Sequence, residues 1–65
     1  MEILARRIKE FREDLDMQQK VLSIESGVPQ ATISRLESGK IKDPRLSTIY
    51  KIAEALNTGI EDLLF

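Results

Sequence analysis

Helix-breaking residues interrupt this chain at short intervals, and this feature limits its fold more than any other. Between the breaks, apolar residues recur every three or four positions, which is the spacing of one face of an α-helix. No segment sustains the alternation that is typical of a β-strand. The breaks fall at Asp16, at Gly27 with Pro29, at Gly39 to Pro44, and at Asn57 with Gly59. The pattern therefore predicts several short helices joined by tight turns.

Five helices are expected, at about 2–14, 18–26, 30–38, 46–56 and 60–64. Gly27 permits the left-handed backbone angle that ends a helix, and Pro29 suits the first turn of the next one. The apolar face of the first helix consists of Leu4, Ile8, Phe11 and Leu15, and that of the fourth of Leu46, Ile49, Ile52, Ala53 and Leu56. We therefore expect a compact all-α, five-helix domain.

Composition limits the classes of function. The 65 residues suffice for one domain, so residues 1–65 are expected to form a single unit. The chain has no cysteine and no histidine, which removes disulfides, thiolate metal sites and the usual general base. No nucleophile–base pair stands out, so we expect neither an enzyme nor a metal or cofactor site. The start lacks a signal-peptide pattern and no run is long enough to span a membrane, which favours a reducing, cytoplasmic setting.

The charged residues are unevenly distributed, although the net charge is only −1. Residues 1–16 carry four basic and five acidic groups, and residues 46–65 carry one basic and three acidic groups. Residues 17–45 carry five basic and three acidic groups and are the positive part of the chain. This distribution would orient the domain on a polyanion.

The most informative stretch is Gln19-x-x-Leu22-Ser23-x-x-x-Gly27-Val28-x-x-x-x-Ile33-Ser34-x-Leu36-Glu37-x-Gly39. It describes two short helices joined by a tight turn at Gly27, with Leu22, Val28, Ile33 and Leu36 between them. This packing leaves the outer face of the following helix free, and a helix presented in this way fits the major groove of B-DNA.

With these residues, and with Ile8-x-x-Phe11-Arg12 before them, the sequence resembles the phage repressor/Cro-like, or XRE-type, helix-turn-helix family. The resemblance continues through Leu46-x-x-Ile49-x-x-Ile52-Ala53-x-x-Leu56 to Ile60-Glu61-Asp62-Leu63-Leu64. It implies a sequence-specific transcription regulator, a repressor by first expectation, that binds double-stranded DNA. The sequence does not choose between repression and activation.

The resemblance also implies roles for single residues. Base contacts are expected from Gln30, Ala31, Ser34 and Arg35, because Gln pairs with adenine, Arg pairs with guanine, and Ala can meet a thymine methyl group. Phosphate contacts are expected from Gln19, Thr32, Lys40, Lys42 and Arg45. Arg12 and Glu37 match a family pair that forms a structural salt bridge between the first and third helices.

Four positions depart from the family pattern. Gln18 and Pro29 replace the Ser or Thr that would cap the second and third helices. Ser23 replaces an alanine and needs a hydrogen-bond partner, for which a backbone carbonyl one turn back is the candidate. Asp43 places a negative charge in a loop that is expected to approach phosphates, between Lys42 and Arg45.

Two surfaces are candidates for protein contacts. A homodimer on a two-fold symmetric operator is expected, through Ile60, Leu63, Leu64, Phe65 and the 40–45 loop. Val21 and Ile24 are apolar where the family is usually polar, and they share one face of the second helix. They leave open an alternative in which the fold serves as a protein-interaction module or an antitoxin. Steep salt dependence would favour DNA over that alternative.

Overall fold

The computed structural model describes residues 2–65, and all of the regular structure in this range is helical. The helices are α1 (Glu2–Asp14), α2 (Gln19–Ser26), α3 (Gln30–Glu37), α4 (Leu46–Ala55) and α5 (Ile60–Leu64). The expected all-α, five-helix architecture is therefore confirmed. Three boundaries differ by one residue: Gln18 precedes α2, while Ser38 and Leu56 follow α3 and α4 as caps. No helix within residues 2–65 is both long and apolar enough to cross a membrane.

The helices pack around one core to which each of them contributes. Helix α1 lies against α3 and α5, α2 lies against α3 and α4, and α4 lies against α5. The core consists of Leu4, Ile8, Leu22, Val28, Ile33, Leu36, Ile49, Ile52, Ala53, Leu56 and Leu63. Helix α3 is therefore held by α1 on one side and α2 on another, with its remaining surface open to solvent.

Three apolar residues lie elsewhere than the sequence indicated. Leu15 is 52% exposed because it follows the last residue of α1, in a turn that reverses at Asp16 with φ of 55°. Leu46 is 65% exposed, since it is the first residue of α4 and no neighbouring helix covers that end. Leu63 is wholly buried, because α5 packs it inward against α1 and α4. Leu63 therefore cannot contact a second subunit, and that part of the expected dimer surface is wrong.

A largely buried ion pair joins α1 to α3. The Nε and Nη2 atoms of Arg12 donate hydrogen bonds to the two carboxylate oxygens of Glu37, over 2.7 and 3.0 Å. The remaining nitrogen, Nη1, donates to the backbone carbonyl of Met17 over 2.7 Å. The two side chains are only 12% and 5% exposed. The hydrogen bond to Glu37 raises the pKa of Arg12 above its ordinary value, so the guanidinium stays charged at any physiological pH.

The core predicts that the same substitution at two isoleucines will change the free energy of unfolding by different amounts. Ile52 is fully buried, so Ile52→Val should lower the free energy of unfolding by about 0.5–1.5 kcal/mol through the lost methylene and the small cavity it leaves. The melting temperature should fall by roughly 4–8 °C per kcal/mol. Ile24→Val makes the same chemical change at a side chain that is 72% exposed, and it should change stability by less than about 0.5 kcal/mol. Equal shifts in thermal unfolding would contradict this core.

The ion pair predicts strong coupling between Arg12 and Glu37. Arg12→Met leaves a largely buried carboxylate with only the hydrogen bond from Gln19 and should cost about 1–3 kcal/mol. Adding Glu37→Gln removes the uncompensated charge and should restore part of that loss. Urea unfolding of the wild type, both single variants and the double variant should give a coupling free energy of about 0.5–3 kcal/mol. Additive single effects would show that the two side chains do not act as a pair.

Candidate nucleic-acid interface

The exposed face of α3 carries the four residues expected to contact bases. Gln30, Ala31, Ser34 and Arg35 are all exposed, while Ile33 and Leu36 point into the core. At 3.6 residues per turn, the four exposed positions fall within an arc of about 140° around the helix axis. The structure therefore places an amide, a methyl group, a hydroxyl and a guanidinium on one open surface. We call this surface the recognition face.

The turn between α2 and α3 is fixed by three local interactions. Gly27 adopts φ of 76°, a left-handed angle that glycine reaches without strain, and its N–H donates to the carbonyl of Ser23 over 2.9 Å. The Ser23 hydroxyl donates to the carbonyl of Val28 over 2.6 Å, across the turn and not one turn back as expected from the sequence. The Val28 N–H donates to the hydroxyl of Ser26 over 3.1 Å. These bonds hold α3 at a set angle to α2.

Gln19 links the start of α2 to the ion pair beneath α3. Its Nε2 atom donates to Oε1 of Glu37 over 3.1 Å, the same oxygen that accepts from Nη2 of Arg12. Glu37 thus receives hydrogen bonds from α1 and from α2 while it belongs to α3. This contact orients the Gln19 amide, which is partly buried at the edge of the recognition face.

The N-termini of α2, α3 and α4 lack the side chains that would compete with an anion. None of these helices has a side-chain cap, and none carries an acidic residue in its first turn. Helices α1 and α5 differ, since they carry Glu2 and Glu61 with Asp62 in their first turns. The first backbone N–H groups of a helix lack intrahelical partners, and the helix dipole makes that end positive. Three uncapped, acid-free N-termini therefore suit phosphate groups.

Only some of the residues that were expected to contact phosphates lie together in the structure. Lys40, Lys42 and Arg45 are exposed in the segment between α3 and α4, where Ile41 packs against the core and anchors the chain. Asp43 is exposed in the same segment and offsets one of these positive charges. Thr32 is partly buried and lies off the recognition face, on the side of α3 that turns toward the protein.

Three further polar residues were missed at the level of sequence, and of these Lys9 and Ser38 border the recognition face. Lys20 is exposed in the first turn of α2, directly after Gln19. Lys9 and Ser38 line a shallow groove between α1 and α3 together with Gln19 and Ser34. The position of Lys20 next to Gln19 was a usable signal. The sequence contained no such signal for Lys9, because its proximity to α3 depends on how α1 packs.

Residues 2–65 contain no group of three or more carboxylates that could hold a metal ion.

Known proteins resemble this chain in sequence. Residues 8–63 match the helix-turn-helix family. A protein of Archaeoglobus fulgidus, described as an uncharacterized HTH-type transcriptional regulator, is 47% identical over 57 residues, which cover 88% of this chain and 79% of that protein. The HTH-type transcriptional repressor RghR of Bacillus subtilis is 38% identical over 65 residues, which cover 100% of this chain and 48% of RghR. A second Bacillus subtilis protein, the uncharacterized HTH-type transcriptional regulator RghRB, is 33% identical over 64 residues, which cover 98% of this chain and 46% of RghRB.

The chain thus spans most of the archaeal relative but about half of the length of the two Bacillus proteins. The resemblance stated from the sequence is confirmed, because the match covers both helices of the motif, the turn at Gly27, and the helices on either side. This chain belongs to the helix-turn-helix family of the XRE type.

Proposed function

We propose that this chain is a sequence-specific DNA-binding domain of a transcription regulator, formed by residues 1–65, with α3 as its recognition helix. The observation that carries the proposal is the recognition face, an open surface without acidic residues that is backed by the Arg12–Glu37–Gln19 network. An α-helix with its side chains is about 10–12 Å across, and the major groove is about 12 Å wide, so the eight-residue helix α3 can lie in it.

Base contacts follow from the chemistry of the recognition face. Arg35 can donate two hydrogen bonds to O6 and N7 of a guanine, and Gln30 can pair with the N6 and N7 edge of an adenine. Ala31 offers an apolar contact to a thymine methyl group, and Ser34 a short hydroxyl. Glu37 takes no part in base contacts, since its carboxylate is buried and already bonded.

Phosphate contacts would set the register of α3 in the groove. Gln19 and the open N-terminus of α2 suit one strand, while Lys40, Lys42 and Arg45 suit the backbone near the start of α4. Thr32 is the weakest member of the proposed set, because it is partly buried off the recognition face. Binding through these groups would be electrostatic and would weaken steeply with salt.

A two-fold symmetric dimer is the assembly that we propose for recognition. One two-turn helix covers only a few base pairs, so a second copy would supply the rest of the site, about one helical turn away. Phe65 is 84% exposed directly after α5, which also carries the partly buried Ile60 and Leu64. Together with the 40–45 loop, they remain as the dimer surface once Leu63 is excluded. Repression by blocking a promoter is proposed on the example of RghR, which is named a repressor.

The exposed apolar residues of α2 support a second candidate function. Val21 and Ile24 lie three positions apart and are both exposed, so α2 presents an apolar strip to solvent. Such a strip suits a protein partner, as an interaction module or an antitoxin would need. Binding through this strip would depend weakly on salt, in contrast to DNA binding.

The guanidinium of Arg35 gives the sharpest test of base reading. Bound sequences would be selected from a randomised duplex pool, and affinities would be measured by fluorescence anisotropy at two salt concentrations. Arg35→Ala should cost roughly 1–3 kcal/mol and relax preference at a single base position. Lys51→Ala, at an exposed cation in the middle of α4, should leave the preference intact. Unselective binding by the wild type, or no binding at low salt, would refute the proposed function.

Phe65 provides the test of the dimer. Phe65→Ala should weaken self-association in sedimentation equilibrium and reduce cooperative binding to a two-half-site duplex, with little change in thermal stability because the side chain is exposed. Ile24→Ala removes another exposed apolar side chain, from α2, and should leave both measurements unchanged. If Ile24→Ala alone disrupted the assembly, the dimer surface would lie on α2.

A further inference from the structure

Two basic residues of α1 lie beside the recognition helix. Arg6 and Lys9 are three positions apart on α1, and both are exposed. Lys9 lines the groove that also contains Gln19, Ser34 and Ser38. Arg6 lines the neighbouring groove, which also contains Ser38 and Gly39. Glu37 and Ser38 belong to both grooves, so Arg6 and Lys9 follow one continuous edge along α3. We call Arg6 and Lys9 the α1 edge.

The acidic residues of α1 lie mostly in grooves that α3 does not line. Glu10, Glu13 and Asp14 line a groove with Arg7 and Phe11. Glu13 also lines a groove with Arg12, Asp16 and Gln18, and no residue of α3 lines either groove. Glu10 and Glu13 lie one helical turn after Arg6 and Lys9, but neither forms an ion pair with them. On the side of α3, Glu37 is already paired with Arg12, which leaves Glu2 as the one other carboxylate in the two grooves. Neither Arg6 nor Lys9 forms an ion pair within residues 2–65. The α1 edge therefore presents two unpaired cations to solvent next to the recognition face.

We propose that the α1 edge binds phosphates of the DNA strand that borders the groove occupied by α3. This inference rests on the proposed function, since it requires α3 in the major groove. A helix on the floor of that groove has a sugar–phosphate backbone along each side. Ser34 and Ser38 connect the recognition face to the α1 edge, so the backbone on that side passes over Arg6 and Lys9. Both side chains are long enough to reach this backbone. Lys9 would contact a phosphate through its ammonium group, and Arg6 through the planar, bidentate guanidinium group.

Phosphate contacts from α1 have a specific consequence for binding. Each neutralised phosphate adds about 0.9 to the slope of log affinity against log salt concentration. The α1 edge would thus raise affinity on every sequence and leave base preference unchanged. Helix α1 would then be a third element that holds the domain on the DNA backbone, in addition to α2 and the segment that precedes α4.

The test uses Lys9→Gln and Arg6→Gln, with Lys51→Gln as the matched control on α4. Affinity for the selected duplex and for an unrelated duplex would be measured across a salt series. Each α1 variant should weaken binding to both duplexes by the same factor and reduce the salt slope by about 0.9, whereas the control changes neither. Circular dichroism should show unchanged folding, because both side chains are exposed.

A second measurement locates the contact. Single phosphates of the selected duplex would be replaced by neutral methylphosphonates. At the phosphate that Lys9 touches, the replacement should weaken the wild type and have no further effect on Lys9→Gln. Unchanged salt slopes, with a wild type that still selects a site through Arg35, would overturn the α1 edge alone. A wild type without salt-dependent DNA binding would overturn both the α1 edge and the proposed function.

Discussion

The proposed DNA-binding surface depends on the hydrogen bonds that the carboxylate of Glu37 accepts. This carboxylate belongs to α3, and it accepts hydrogen bonds from Arg12 of α1 and Gln19 of α2. Because a carboxylate only accepts hydrogen bonds, its burial is tolerated here by the charged guanidinium and the amide that surround it. Together with the burial of Ile33 and Leu36, the same contacts fix the rotation of α3 about its own axis. This rotation decides which of its side chains face solvent.

Local charge matters more than net charge in this molecule. Judged by composition alone, a chain with a net charge of −1 is not expected to bind a polyanion such as DNA. Within the fold the acidic residues are unevenly placed. Carboxylates stand in the first turns of α1 and α5, whereas α2, α3 and α4 begin without any acidic residue. The proposed contact surface is thereby free of most of the negative charge that the chain carries.

Much of the fold and part of the site were predictable from local sequence. Helix positions follow from the spacing of apolar residues and from Gly27, Gly39 and Asn57, all of which adopt left-handed backbone angles in the structure. The recognition face could also be predicted from helical spacing. Ile33 and Leu36 define the buried side of α3, and the recognition face lies on the opposite side of the helix. The errors came where periodicity carries no information about neighbours. Leu15 and Leu46 match an apolar face, but each lies at a helix end that nothing covers.

The sequence by itself determined five short helices, their turns and the family to which the chain is similar, because backbone preferences and helical periodicity act within a few residues. Only the tertiary structure decided that Leu63 is buried, that the Gln19 amide bonds to Glu37, and that Arg6 and Lys9 lie beside α3. Each of these facts depends on how helices pack across the core. Residues that are distant in the chain meet there, and no local pattern records which of them will be neighbours.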